Sequence, residues 1–226
     1  MQGGNLFEPI LLSLRIASIA TIFSLLFGVF FAYIINKRNI PFKNIWETIL
    51  ILPLVLPPSV MGYLLLIFVG KRGPLGIFMQ ETFGVTLVFT WIAAVMASSI
   101  VSLPLMYQNV KSAMISVDPV YERAARTLGS GEVRVFFTVT LPLSWPGIIS
   151  GIALTFARAM GEFGATMMVA GNIPGRTQTI PTAIYYAVES GNTKMANTLV
   201  LIMTAFSFAL ILVLNLWLKK KNYNGR

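Results

Sequence analysis

The chain reads as an all-α polytopic membrane protein with about five transmembrane helices, on three observations. First, 56 % of its 226 residues are hydrophobic, 11 % are charged, and the mean hydropathy is +0.76. Ordinary soluble domains are more polar. Second, a bilayer core of about 30 Å takes about 20 apolar residues per helical span. Runs of that kind fall at about 10–35, 48–69, 85–106, 146–170 and 197–218. Third, period-2 alternation does not recur, which sets aside an outer-membrane barrel. No repeat, low-complexity tract or soluble insert divides residues 1–226, so they are expected to form one transmembrane domain.

The first run follows Met1-Gln2-Gly3-Gly4-Asn5, a stretch with no basic residue, and no small-residue cleavage site comes after it. It is expected to stay in the membrane as a helix and not to leave as a signal peptide. Arg15 sits a turn or so inside its entry, within reach of the headgroups by snorkelling. The second run contains Pro53, Pro57 and Pro58. Interior prolines break backbone hydrogen bonds, so a kink or local unwinding is expected there. Lipid does not satisfy the freed carbonyls. Pro57 and Pro58 should therefore face other helices, through packing alone or as the lining of a pathway.

The third run leads into a polar loop, about 107–145, that holds the most informative residues. Asp118 suits an N-cap and Pro119 the first helical turn. Residues 120–128 then make a short helix, and Gly129 suits a left-handed terminating position. After Gly129-Ser130-Gly131 a second short helix is expected to run to about Val139, with Leu141-Pro142 ending it before the fourth span. Ala124 and Ala125 give the first helix a small, smooth face. Such a helix either docks to another protein or lies on the headgroups, basic side down.

The fourth run carries Arg158 and Glu162, four residues apart and so on one helix face. Ionisable groups at membrane depth face the bundle interior or a cavity. An intrahelical ion pair is one reading; the other has Arg158 supply positive potential along an anion pathway. Between the fourth and fifth runs, Ile180-Pro181-Thr182-Ala183-Ile184-Tyr185-Tyr186 is apolar but too short to span. It reads as a re-entrant or interfacial segment with its tyrosines near the headgroups.

The net charge of +9 is distributed unevenly. Basic clusters occur at Lys37, Arg38 and Lys43, at Lys111, Arg123, Arg126 and Arg134, and at Lys219, Lys220, Lys221 and Arg226. The alternate segments hold only Lys71, Arg72, Arg176 and Lys194. This is the positive-inside pattern, not a nucleic-acid surface. It puts the amino terminus outside, and the 107–145 loop and the carboxyl terminus inside. With no cysteine and no histidine, thiolate chemistry, disulfides, Cys/His zinc sites and imidazole catalysis are excluded. Glu162 is the one carboxylate clearly at membrane depth, too little for an intramembrane enzyme. No Gly-x-x-x-x-Gly-Lys-Ser/Thr phosphate loop occurs, and neither cofactor nor metal is expected.

Ala124-Ala125, three residues, Gly129, nine residues, then Val139-Thr140-Leu141-Pro142 resembles the coupling motif of ABC importer permeases: Glu-Ala-Ala, Gly, then an aliphatic residue, any residue, Leu-Pro. Arg123 stands where that pattern has its glutamate, and Glu122 sits one position earlier. The likeness covers nearly the whole chain. The stretches 52–58, 157–166 and 171–179, with Gly161-Glu162-Phe163-Gly164-Ala165-Thr166 and Asn172-Ile173-Pro174-Gly175-Arg176-Thr177-Gln178-Thr179 within them, are similar to the molybdate and sulfate branch of the type I permeases.

What the resemblance implies is a multi-pass subunit of the cell membrane, not itself an enzyme. Two copies would form the pathway and sit on two copies of a cytoplasmic ATPase. Asp118, Glu122, Arg123, Ala124, Ala125, Gly129, Leu141 and Pro142 would build the coupling element, with the 120–128 helix seated in a groove of the ATPase. An extracytoplasmic oxyanion-binding protein would deliver molybdate, or tungstate, to the outer mouth. Sulfate or thiosulfate is the alternative cargo, and a membrane scaffold subunit the alternative without transport. Arg158, Glu162, Pro57 and Pro58 are the pathway candidates. No high-affinity anion cage is expected among them, since a pathway must release what it admits.

Overall fold

A backbone surrounded by lipid must close its hydrogen bonds within itself, and the apolar runs accordingly fold as helices. The structure, a computed structural model, describes residues 6–37 and 41–223, with no strand among them. Met1–Asn5 and, of the basic clusters, Arg38 and Arg226 lie outside the described residues. The helices in chain order are α1 (Phe7–Lys37), α2 (Lys43–Val55), α3 (Pro58–Val69), α4 (Pro74–Phe83), α5 (Trp91–Ile115) and α6 (Pro119–Thr127). A short α7 (Glu132–Val135) follows, then a π turn at Phe136–Thr140, α8 (Leu141–Met160), α9 (Gly164–Ala170), α10 (Ile180–Glu189) and α11 (Thr193–Tyr223).

Four helices among the described residues are long and apolar enough to cross a bilayer: Phe7–Asn36, Trp91–Ile115, Glu132–Met160 and Thr193–Lys219. The second run is the bent pair α2 and α3, which meet at 113°. Its cause is local. A residue before proline is pushed out of the helical region, and here two such residues are consecutive. Leu56 precedes Pro57 and sits at φ −70°, ψ 142°; Pro57 precedes Pro58 and sits at φ −54°, ψ 139°. Pro53 stays inside α2.

α5 is the centre of the bundle and α11 its edge: 56 % of the first helix's apolar window is buried, against 6 % of the second's. α1 lies along α5 through small residues, with Ala17, Ala20, Ala93, Ala94 and Ala97 fully buried. Ser24 Oγ meets Ser102 Oγ at 3.1 Å across the same seam. Small residues and hydroxyl bridges of this kind are how helices associate where lipid offers no hydrophobic drive. α8 packs on the other side of α5, and α3 and α9 close the group at one end.

Three expectations need correction. The third span does not run 85–106: its helix starts at Trp91, capped by Thr90, and continues to Ile115. Residues 107–115 therefore belong to the span, and Tyr107 is fully buried. Within the bundle Asn109 Nδ2 donates to the Leu105 carbonyl at 2.8 Å, and Lys111 pairs with Glu47 of α2 at 2.8 Å.

Second, Leu141-Pro142 ends no helix. Residues Glu132–Met160 form one continuous rod, in which the π turn stands just before Pro142. Proline removes the N–H that the carbonyl four residues back would take. Widening the preceding turn, with Leu141 N–H donating to the Phe136 carbonyl, absorbs the misfit without breaking the helix. Third, the fourth run is no single helix over 146–170, since α8 stops at Met160 and α9 begins at Gly164.

The 180–186 segment is more deeply integrated than an interfacial strip. α10 packs on α1 and α11 through Ile180, Ala183 and Ala187, and the Ile180 N–H donates to Ser13 Oγ at 2.8 Å. Tyr185 is exposed, its ring 5.3 Å from that of Phe163. Arg15 lays its guanidinium over the Trp91 ring, 4.1 Å from the centroid, so its head is held by an aromatic face.

Candidate functional site

Two groups of polar residues stand out, at opposite ends of the Glu132–Met160 rod. The first is α6 and its supports. Asp118 Oδ1 accepts the Val120 N–H at 2.8 Å, and Pro119 opens the helix as the sequence predicts. At the other end Gly129 takes φ +84°. Its N–H donates to the Arg126 carbonyl at 2.9 Å, and the Ser130 N–H to the Ala125 carbonyl at 3.1 Å. That is the paired bonding of a left-handed glycine terminus. The helix is defined at both ends by its own nine residues and their immediate neighbours.

The side chains of α6 divide by direction. Glu122 turns inward: its Oε2 pairs with Arg126 at 3.0 Å, and its Oε1 accepts the Thr140 hydroxyl of the π turn at 2.5 Å. Arg126 also binds Glu132 of α7 through Nε. The Glu132 hydrogen bond raises the Arg126 pKa above its usual value against the opposing effect of desolvation, with the Glu122 bond adding to the rise. Outward, Val120, Tyr121, Arg123, Ala124 and Leu128 are exposed, and no residue of α6 is buried. Val120, Ala124 and Leu128 fall at intervals of four, hence on one stripe. Leu141 is half-buried and Pro142 exposed on the rod beside the π turn.

The second group lies where α8 ends. Arg158, in its last turn, donates through Nη1 to Glu162 Oε2 at 2.8 Å. Glu162 is buried, and its Oε1 accepts the Ala165 N–H of α9 at 2.9 Å. The pair is not an interior helix pair, because α8 ends at Met160 and Glu162 lies in the break at Gly161–Phe163. Pro58, first residue of α3, abuts Gly164, first residue of α9; a Cβ on Gly164 would sit 2.7 Å from Pro58 Cβ. Pro57 and Pro58 are exposed at this junction. The four pathway candidates are thus brought to one place, where two broken spans meet.

Thr140 as the partner of Glu122 and Glu132 as that of Arg126 were not anticipated, nor was the Lys111–Glu47 pair. No sequence rule links residues 18 or 64 apart. The Val120–Ala124–Leu128 stripe did carry a signal, in its spacing of four.

Residues 24–220 match the family described as binding-protein-dependent transport system inner membrane component. The Molybdenum transport system permease protein ModB of Escherichia coli K12 is 47 % identical over 207 residues, 91 % of this chain and 90 % of its own length. The ModB of Haemophilus influenzae is 39 % identical over 210 residues, 93 % of this chain and 92 % of its own. Among solved structures, a bacterial ABC transporter involved in the import of the acidic polysaccharide alginate superposes with a TM-score of 0.77 over 95 % of this chain and 79 % of its own. At 15 % identity that likeness speaks for the fold. The helical membrane fold and a match over most of the chain agree: the chain belongs to the inner-membrane permease components of binding-protein-dependent transport systems.

Proposed function

We propose that this chain is the pathway-forming subunit of an ATP-driven importer of molybdate, with α6 as the element that a cytoplasmic ATPase grips. Membership in the family carries an ATPase and a substrate-binding protein as partners. The observation that supports α6 as the docking element is its division of labour. A capped, basic helix outside the spans is anchored by Glu122 and Arg126 on one side and leaves the Val120–Ala124–Leu128 stripe uncovered on the other. An apolar stripe rimmed by charge marks a protein contact.

In this reading Asp118 and Gly129 fix the ends of the docking helix, and Arg123, Ala124 and Ala125 meet the ATPase. Glu122, Leu141 and Pro142 tie the helix to the membrane rod. Two copies of the chain enclose the pathway, with the amino terminus outside and the carboxyl terminus in the cytoplasm. The molybdate assignment rests on the identity to the ModB proteins over nearly the whole chain. At the Pro57–Pro58 and Gly161–Phe163 breaks, Arg158 lends positive potential to a passing dianion while Glu162 holds its guanidinium in place.

The test is ATPase activity of the complex in liposomes, reconstituted with its ATPase and binding protein and given molybdate, tungstate and sulfate in turn. Stimulation by molybdate at far lower concentration than by sulfate is the expected result. Preference for sulfate overturns the cargo, and failure to form a complex with the ATPase overturns the coupling role. Ala124→Glu, which puts a bulky charge on the stripe, is expected to abolish ATPase binding; normal transport by that variant would sink the docking assignment.

A further inference from the structure

Side chains of α6 tie it to the rod that follows it in the chain. α6 packs on α7 and the π turn, and its side-chain ties, Glu122 to Thr140 and Arg126 to Glu132, lead to the Glu132–Met160 rod. Toward α5 the connection is three non-helical residues, Ser116, Val117 and Asp118. Between α6 and the ends of α1 and α5 lies a half-polar cavity of about 210 Å³, walled by Tyr33, Asn36, Met114, Val117, Pro119 and Glu122.

The Glu122 tie closes on the one irregular turn of the rod. Thr140 is buried, and its hydroxyl reaches Glu122 while its carbonyl accepts Ser144 Oγ at 2.7 Å. Phe136, at the start of the π turn, is buried with its ring 4.3 Å from Tyr33 of α1. A π turn holds one more residue than an α turn, and single turns of this kind inside α-helices are frequent at functional sites. From Thr140 the rod continues unbroken to Arg158, about 27 Å away at 1.5 Å per residue.

We infer that Glu122 and Thr140 are positioning residues for coupling: their hydrogen bond delivers movement of α6 to α8 through the π turn, and so to the Arg158–Glu162 junction at the rod's far end. This rests on the reading of α6 as the ATPase-docking helix. It adds which span takes the stroke. α8 moves with α6, while α5 is joined to it through the non-helical link Ser116–Asp118.

Thr140→Val keeps the side-chain shape and removes the donor. In the reconstituted complex it is expected to leave assembly with the ATPase and hydrolysis intact, while molybdate moved per ATP hydrolysed falls about tenfold, in keeping with loss of a hydrogen bond to a charged acceptor. Thr140→Ser, which restores the hydroxyl, is expected to recover the ratio. Wild-type transport per ATP in an assembled Thr140→Val complex overturns the inference. Failure of the unsubstituted chain to assemble with the ATPase overturns instead the docking reading beneath it.

A second measurement does not depend on that variant. The chain has no cysteine, so spin labels can be placed in pairs at Thr127→Cys with Leu143→Cys, and at Thr127→Cys with Ile115→Cys. Between nucleotide-free and ATP-bound complexes the α6–α8 distance is expected to hold and the α6–α5 distance to change. The reverse pattern overturns the inference.

Discussion

Two carboxylate–guanidinium pairs in this chain share a spacing of four and little else. Glu122–Arg126 closes at 3.0 Å with side chains 17 % and 37 % exposed; Arg158–Glu162 closes at 2.8 Å with Glu162 only 2 % exposed. The order is reversed between them, and the helix termini explain why. Within one helix an acid N-terminal to its base suits the backbone dipole, as in α6. Arg158 stands in the last turn of α8 and Glu162 just ahead of α9, so each charge meets the helix end that favours it. The first pair orients a helix in water, where such a bond contributes about 0.3–0.5 kcal/mol. The second joins two broken helices inside the bundle, where removing one partner costs several kcal/mol.

The sharpest way to break the contrast is Glu162→Ala. It leaves the Arg158 guanidinium without its carboxylate and the buried Ala165 N–H without an acceptor. The expected loss is about 3 kcal/mol, read as a lower midpoint of thermal unfolding in detergent. Replacing both members with methionine should recover most of that loss, because the penalty comes from the stranded charge. A single variant as stable as the parent would show that the junction is held by packing alone.

Gly164→Ala tests that packing directly. The added methyl would lie 2.7 Å from Pro58 Cβ, between two rigid helix starts, and should cost about 1–3 kcal/mol in the same measurement. Next comes Arg158→Gln, which keeps a donor toward Glu162 but removes the positive charge. Oxyanion uptake is expected to fall severalfold with the complex intact; collapse of assembly would make the pair architectural. Smallest is Asp118→Ala, which removes the cap on the Val120 N–H and costs about 1 kcal/mol. Its effect should stay within α6, visible as faster amide exchange there and an unchanged global midpoint.

The same contrast explains how far the sequence could be read. α6 was legible to within a residue at each end, since Asp118, Pro119 and Gly129 act on backbone groups within a turn of themselves. The bend after Leu56 followed from Pro57-Pro58 for the same reason, though its 113° did not. Leu141-Pro142 misled, because proline ends a helix only when no wider turn is available to absorb it, and the π turn at Phe136–Thr140 was. Tyr107 misled because its polarity placed it in a loop, whereas Glu47–Lys111 and the bundle around it keep that stretch helical.

By itself the sequence determined the helical class, the number of apolar runs, the caps of α6 and the spacing of both ion pairs, all of which act over a few residues of chain. Only the tertiary structure decided that Glu122 meets Thr140, that Pro58 meets Gly164, and that Glu162 lies past the end of the helix that carries Arg158. Those contacts depend on how spans bend and cross, and hydropathy fixes the length of a span without fixing its neighbours.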